Sequence, residues 1–489
     1  MVWKVRNMNK RILYLFILPL VLIFCAKGYP DTCYWENLGI FRFFNPGEDL
    51  EKALSSLSSR EKICGIHDPE LCPYIEEAGD QYLNMALFSQ AERAYRRSLF
   101  IKYRAEDQDG MRNTSYRLVN LYLERGDYDQ GLTLMEEILN EQRKKFGVQN
   151  TEVALAECQL AVLLRLRGQY RDSMKLYEHA LPILEAAGHE ELHFHLSNFG
   201  FLFYHQARYE EARGLFQKAL SLLEEPGRND FTTDYRFLGY RGYIAHCMAA
   251  EGNYSEAEEL FMDSLRIAED LYGKGMFYEK FWHWDLAHFY RNWGRTWEAE
   301  YHYRYAADIF IIGVNPELDT LLREIASFYS DQGRFIEAEA ILRKCLEAHE
   351  VVYGKDHPGR SMVLKDLGVL FREWARIENR ADLFQKAESY LNQALSIHAG
   401  YYSPCHYFRS ETLHDMAVLY HYLGWFEEAE ALYKSALDIR ERSSGICCSR
   451  VGLILRDLAR LYMDTGRMGE AKELQARAEK IPLIDPYFE

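Results

Sequence analysis

The sequence predicts an all-α solenoid of about ten antiparallel helix pairs, and three observations carry this. A fifteen-residue pattern recurs along the 489-residue chain, as in EGNYSEAEELFMDSL (251–265), RGDYDQGLTLMEEIL (125–139), QGRFIEAEAILRKCL (332–346) and LGWFEEAEALYKSAL (423–437). Small and apolar residues on both sides of each copy fall at helical spacing. Gly (31) and Pro (12) are too sparse for a loop-rich chain. A fixed period of this kind marks units that bury their faces only by stacking on neighbours.

Each unit is organised about a small residue between two helical patterns: Ala86, Gly126, Gly168, Ala207, Gly252, Gly294, Gly333, Ala375, Gly424 and Gly466. Successive hinges lie 39 to 49 residues apart, 42 being the commonest interval. Glycine at such a point permits the left-handed backbone that ends one helix before the next begins. Seven before the hinge stands Gly79, Val119, Ala161, Gly200, Ala245, Ala287, Ala326, Gly368, Ala417 or Ala459; four before it stands a large residue such as Tyr82, Tyr122, Phe203, Tyr290 or Tyr462. The two positions share one face of the first helix, the small one admitting a neighbour and the large one filling space beside it. In the second helix small residues recur five and twelve after the hinge, as Ala257 and Ser264 or Ala338 and Cys345. The eighth copy is longer. Counting back from Phe384 puts its effective hinge at 382, so the stretch near 376–382 (RIENRAD) reads as a seven-residue insertion, forming either added helical turns or a protruding loop.

The chain accordingly divides into an N-terminal segment 1–28, a cap segment 29–72, an array of about ten repeats over 73–480 and a tail 481–489. Segment 1–28 holds five basic residues, no acid, and the 13-residue apolar run Ile12–Phe24. That run is short for a membrane span, which needs about 20 residues. A basic start before such a run fits an export signal, with Ala26 and Gly28 offering small residues for cleavage before Tyr29. Retention as a membrane anchor through residues 12–24, or lipid attachment at Cys25, are the alternative fates. The expected localisation is therefore exported or anchored by the N-terminus.

These residues resemble the tetratricopeptide repeat, whose turn pattern is matched by Gly252, Tyr254 and Ala257. The period is longer than the ordinary repeat of about 34 residues. The linking stretch VVYGKDHPGRSMVLKDLGVLF (351–371), with Gly354, Asp356, His357 and Pro358, is similar to the kinesin-light-chain subclass. No N-terminal heptad region for a motor chain accompanies it. The resemblance implies a right-handed superhelix whose first helices line a concave surface that binds partner peptides.

Net charge of −16 argues against a nucleic-acid surface, which needs clustered Lys and Arg. Gly273-Lys-Gly275 is too short for a phosphate loop, and no nucleophile–histidine arrangement has supporting context, so no catalytic residue and no cofactor is expected. His193, His195 and His205 lack helical ligand spacing and read as structural, so no metal is expected. Phe281-Trp-His-Trp284 reads as core packing or as an aromatic anchor for a ligand. Asn113 and Asn253 open glycosylation triplets, Asn253 in a tight turn. Cys64 with Cys72, and Cys405 with Cys447 or Cys448, are the disulfide candidates; Cys158, Cys247 and Cys345 sit at helical core positions.

The expected function is a non-catalytic interaction scaffold for a protein or peptide partner. An enzyme using groove histidines and carboxylates is the alternative; a cytosolic kinesin-light-chain-like adaptor is the reading if segment 1–28 is not an export signal. By the family's geometry the concave stripe lies ten, nine, six, three and two before each hinge. It comprises Asn198, Tyr204, Tyr243, His246, Trp284, Asp285, His288, Arg291, Arg323, Glu324, Lys365, Asp366, Arg372, His414, Asp415, Arg456 and Asp457. In the later copies a row of carboxylates is edged by a row of cations, a surface suited to an extended peptide.

Overall fold

The structure, a computed structural model, describes residues 46–224, 235–272, 277–310, 316–353, 355, 357–444 and 449–482. The N-terminal segment 1–28, Cys25, Gly273–Gly275, Gly354, Asp356, Cys447 and Cys448 lie outside them. The described residues form twenty-one α-helices and no strand. Helix α1 (Pro46–Cys64) and a 3-10 turn (Pro69–Leu71) precede ten pairs. These are α2/α3 (Cys72–Asn84, Phe88–Arg104), α4/α5 (Gln108–Arg125, Tyr128–Phe146), α6/α7 (Thr151–Leu166, Tyr170–Ala186), α8/α9 (Leu192–Tyr204, Tyr209–Leu223) and α10/α11 (Tyr235–Ala250, Tyr254–Tyr272). Then come α12/α13 (Phe277–Asn292, Thr296–Phe310), α14/α15 (Pro316–Asp331, Phe335–Tyr353), α16/α17 (Arg360–Glu378, Ala381–Tyr401), α18/α19 (Tyr407–Tyr422, Phe426–Ser444) and α20/α21 (Ser449–Asp464, Met468–Ala478).

Nine hinges are left-handed where the sequence places them, Gly252 at φ 87° and Gly466 at φ 78° among them. Ala86 and Ala207 take the same conformation at φ 54° and 56°, although each carries a Cβ. The eighth is a correction: Ala375 is buried inside α16, and the left-handed residue is Asn379. Asparagine tolerates that region through its short polar side chain. The seven extra residues are divided between the two helices. The hinge moves four residues, from 375 to 379, as α16 runs on to Glu378, and α17 begins three residues before Phe384. The insertion is thus added helix on both arms rather than a loop.

Within an ordinary pair, the small residue seven before the hinge makes room for a large one nine after it, and the lengthened eighth pair keeps the same contact at wider spacing. A Cβ at Gly79 would stand 2.5 Å from the Tyr95 ring, one at Gly200 2.8 Å from Phe216, and one at Gly368 2.6 Å from Leu391. Tyr95, Tyr177, Phe216, Phe261, Tyr303 and Tyr433 occupy this position and are buried. Between pairs, a polar relay recurs. Tyr290 Oη donates to Glu258 of the preceding pair (2.7 Å), and Arg295 donates to the same carboxylate (2.6 Å) while lying 4.7 Å above the Tyr290 ring. Tyr462, Glu430 and Arg467 repeat the arrangement, as do Tyr329, Glu300 and Arg334. Each relay joins one pair to the next, which is how a solenoid gains its nearest-neighbour stability.

The first helices lie inside. In α12 every residue from Glu279 to Tyr290 is buried, and α6 and α8 are buried on nearly all faces. The second helices expose one side, as at Trp297 and Tyr301 on α13. One hydrophobic cluster runs without interruption from Val119 to Leu419. The turn of the superhelix also closes. The link between the eighth and ninth pairs reaches the second pair, where the Ser403 N–H donates to the Arg125 carbonyl (2.8 Å). At the far end Ile481 folds onto Val451, Leu455 and Ala478 and covers the last pair.

Candidate functional site

The inner wall is built from the first helices. Its charged positions pair with one another across successive copies. Arg323 Nε donates to Asp366 (2.5 Å), Lys365 Nζ to Glu411 (3.0 Å), Arg372 Nη1 to Asp415 (3.1 Å) and His414 Nε2 to Asp457 (2.8 Å). Arg291 pairs with Asp331 and donates to Ser327 Oγ (3.0 Å). Most of these contacts span 43 residues, one period plus one, so a cation beside a carboxylate on each helix meets the carboxylate of the next. Arg456 in the last pair donates instead to the Ala478 carbonyl (3.4 Å). Burial would push the Lys365 ammonium down, but Glu411, Asp366 and Asp415 hold it above its ordinary value. Glu411 is likewise desolvated, yet Lys365, Arg450 and Arg440 hold its carboxyl well below the usual range.

Earlier in the array the wall is closed by packing. Trp284 is fully buried and donates its indole N–H to Glu324 (2.5 Å), which also accepts from His288 Nδ1 (2.9 Å) and Tyr303 Oη (2.6 Å). Burial pushes the Glu324 carboxyl up, and these donors bring it below its ordinary value. Asn198 is buried and donates to the Phe194 carbonyl; Tyr243 sits edge-on to Phe201 at 4.7 Å; Asp285 is buried. Trp284, Asp285, His288, Asn198 and Tyr243 therefore face neighbouring helices rather than an open groove. The sequence assigned them to the concave side because a stripe defined by helical phase does not reveal how closely the facing helices approach.

Elsewhere the stripe borders open space. A cleft of about 290 Å³ lies where the C-terminal ends of α8, α10 and α12 meet. Tyr204 and His246 line it, together with Tyr209, Tyr254, Phe289 and Asn292. Tyr204 and Tyr209 meet edge to face at 5.0 Å, and Tyr254 stacks on Trp293 at 5.4 Å. Tyr209 and Tyr254 were absent from the sequence-derived stripe because the aromatic two after the hinge reads as turn packing. Its recurrence beside the groove end of the first helix was the available signal.

The remaining motifs lie within the packed fold. His193 shares a hydrogen bond with Tyr240 Oη (2.7 Å), and burial pushes His195 down to about 3. Phe281–Trp284 is buried throughout, which favours core packing over an anchor. Cys64 and Cys72 are free thiols directed at the Arg60 and Ser98 carbonyls, so that pairing is absent. Among the described residues no group of three or more His, Cys, Asp and Glu is arranged to hold a metal. None of the helices there is long and apolar enough to cross a membrane.

A family model described as a tetratricopeptide repeat matches residues 110–186, 317–379 and 372–442, and a second of the same description matches 195–225. No curated protein matches the chain. Among solved structures the chain is similar to BtubC (BKLC) from P. vanneervenii, at 22% identity over 47% of this chain and 91% of that one, with a TM-score of 0.39. It is also similar to a Rap protein complexed with competence and sporulation factor (16%, 77% and 99%, TM-score 0.40) and to the apo form of RapI (14%, 81% and 97%, TM-score 0.42).

Proposed function

We propose, from the premise that this chain is a tetratricopeptide-repeat protein, that it is a non-catalytic scaffold capturing an extended segment of a protein partner on its inner wall. A repeat fold of this family suits protein–protein interaction. The observation that carries the finer reading is the aromatic cleft between the fourth, fifth and sixth pairs, which opens on the same stripe as the charged positions of the seventh to tenth. Tyrosine-rich clefts desolvate a side chain well and supply hydroxyls for its polar end. From there a bound chain would run past Arg323, Asp366, Asp415 and Asp457, exchanging contacts with pairs that the wall already makes with itself. Lys365 and Arg372 would meet its acids. The basic and apolar character of residues 1–28 supports an exported or N-terminally anchored location, and N-terminal sequencing of the mature chain tests that separately.

The experiment fills the cleft from its exposed rim. Ala250→Trp is compared with Met262→Trp, which adds the same ring on the second helix of the fifth pair, where Met262 is exposed. Partners recovered by the parent chain from its native secretory or envelope fraction should be lost with Ala250→Trp and retained with Met262→Trp. Equal recovery by both variants would remove the cleft from the binding surface.

A further inference from the structure

The closure of the superhelical turn brings together residues some 280 positions apart. Ser403 donates its N–H to the Arg125 carbonyl. The His406 side chain lies against Gly126, so closely that a Cβ there would stand 2.9 Å from His406 Cβ. Tyr402 enters the cluster formed by Leu83, Phe88, Tyr95 and Tyr122, its ring 5.9 Å from Phe88. His406, Tyr407 and Phe408 are buried as a result, and Phe408 donates its N–H to His406 Nδ1 (3.2 Å).

This contact is unlike the interfaces between consecutive pairs. It has the shape of a seam, with one backbone hydrogen bond and a few rings at the link and α1 resting on α15 beside it, without the recurring tyrosine–glutamate–arginine relay. It also leaves polar atoms unsatisfied. Glu124 Oε1, Tyr407 Oη and both ring nitrogens of His398 are buried there without a hydrogen-bond partner. A buried polar atom left unpaired carries a desolvation penalty that opening to water removes. Burial pushes His406 down to about 3 and His398 to about 4, and raises the Glu124 carboxyl well above its range. The seam thus closes at a desolvation cost, and no relay of the kind that joins consecutive pairs offsets it.

We propose that the seam is a gate: the link 402–408 releases the first and second pairs, α1 parts from α15, the superhelical turn opens, and an extended partner reaches the inner wall from the side. This rests on the scaffold reading above. While the turn is closed, its two edges meet at the link 402–408, and that side of the inner wall is covered. Release separates two edges of the same wall without breaking any contact between consecutive pairs.

A glycine pair in the structure isolates the seam. Gly126 and Gly252 are both hinges at φ 87°, so alanine strains the backbone equally at either. Only Gly126 has His406 against it; nothing lies within 4 Å of a Cβ on Gly252. In the full-length chain, Gly126→Ala should raise the radius of gyration in solution scattering. It should also speed labelling of Cys405, a free thiol in the link itself, by Ellman's reagent at least tenfold over Gly252→Ala. Tyr402→Ala, which touches no hinge, should do the same. If both variants label at the rate of Gly252→Ala, the seam holds nothing closed and the proposal fails. The functional half is tested with Arg125→Cys/Ser403→Cys, whose backbones already touch. Oxidised, this chain should lose capture of the partner recovered in the cleft experiment, and reduction should restore it. Undiminished capture by the oxidised chain would overturn the gate while leaving the scaffold reading intact, whereas loss of capture on Ala250→Trp bears on the cleft alone.

Discussion

Ala207 holds a left-handed backbone in which an L side chain costs roughly 1–2 kcal/mol. Replacing it with glycine relieves that strain and returns part of the gain as unfolded-state entropy. Ala207→Gly should therefore stabilise the chain by about 0.5–1 kcal/mol, read from the urea midpoint, and Gly252→Ala should destabilise it by a similar amount. Charges on the inner wall follow a different rule from those outside. Arg372 is buried and is held by Asp415 and Glu373, so Asp415→Ala should cost about 1–3 kcal/mol through the donor it strands. Asp172→Ala, which breaks an exposed pair with Lys175, should change stability by less than about 0.5 kcal/mol in the same assay. A binding test with Asp366→Ala and Asp415→Ala together must accordingly be read beside the thermal midpoint, since both carboxylates hold the wall together.

The helix pair is the element the sequence describes best, because its small and large positions answer one another. Gly79, Gly200 and Gly368 were legible as small positions; Tyr95 and Phe216, which two of them accommodate, lie nine residues beyond the hinge, and Leu391 lies twelve beyond it in the lengthened eighth pair. The eighth pair tests how modular this is. Its seven extra residues extend both arms beyond the packed part, and Ile377 among them is exposed. Deleting 376–382 should restore an ordinary hairpin, with Phe384 and Ala387 keeping their places, and should leave the melting temperature within about 4 °C of the parent by calorimetry. A larger fall would mean that the added turns carry contacts of their own. The hinge was misplaced at Ala375 because alanine serves as hinge at 86 and 207 and asparagine nowhere else; only the lengthened helix shows that Asn379 had taken the role.

At the scale of the molecule, closure changes how the array should unfold. An open solenoid frays from both ends. Here the first and second pairs are sealed to the link before the ninth, so amide exchange in α4 and α18 should be governed by one opening event, while α20 and α21 exchange independently and faster. Acid should act on the whole fold. His195, His302 and His406 are pushed down to about 3, and His283, His357 and His398 to about 4, in each case by burial. The unfolded chain takes up protons below about pH 6.5 that the native chain refuses, so stability is lost as pH falls from there towards 4. Each such histidine removes about 2 kcal/mol by pH 5 when it stays neutral in the fold. Burial of Glu124 and Asp80 raises their carboxyls and works in the opposite sense over the same range. With six histidines against these carboxyls, the urea midpoint should be clearly lower at pH 5 than at pH 7.

The repeat itself was written in the sequence: hinge spacing, the small position of the first helix and the paired small positions of the second are local quantities, and each depends on residues within one helical hairpin of one another. What those hairpins enclose was not. Trp284 and Asp366 stand at neighbouring phases of the same stripe, yet one is sealed behind Glu324 and the other is partly open, because exposure depends on how tightly the following pair stacks. Glu411, which takes Lys365, lies outside the stripe altogether. The seam joining Arg125 and Gly126 to Ser403 and His406 left no periodic trace, since it arises from a rotation summed over seven pairs. No single repeat encodes that sum; only the assembled turn decides where its two edges meet.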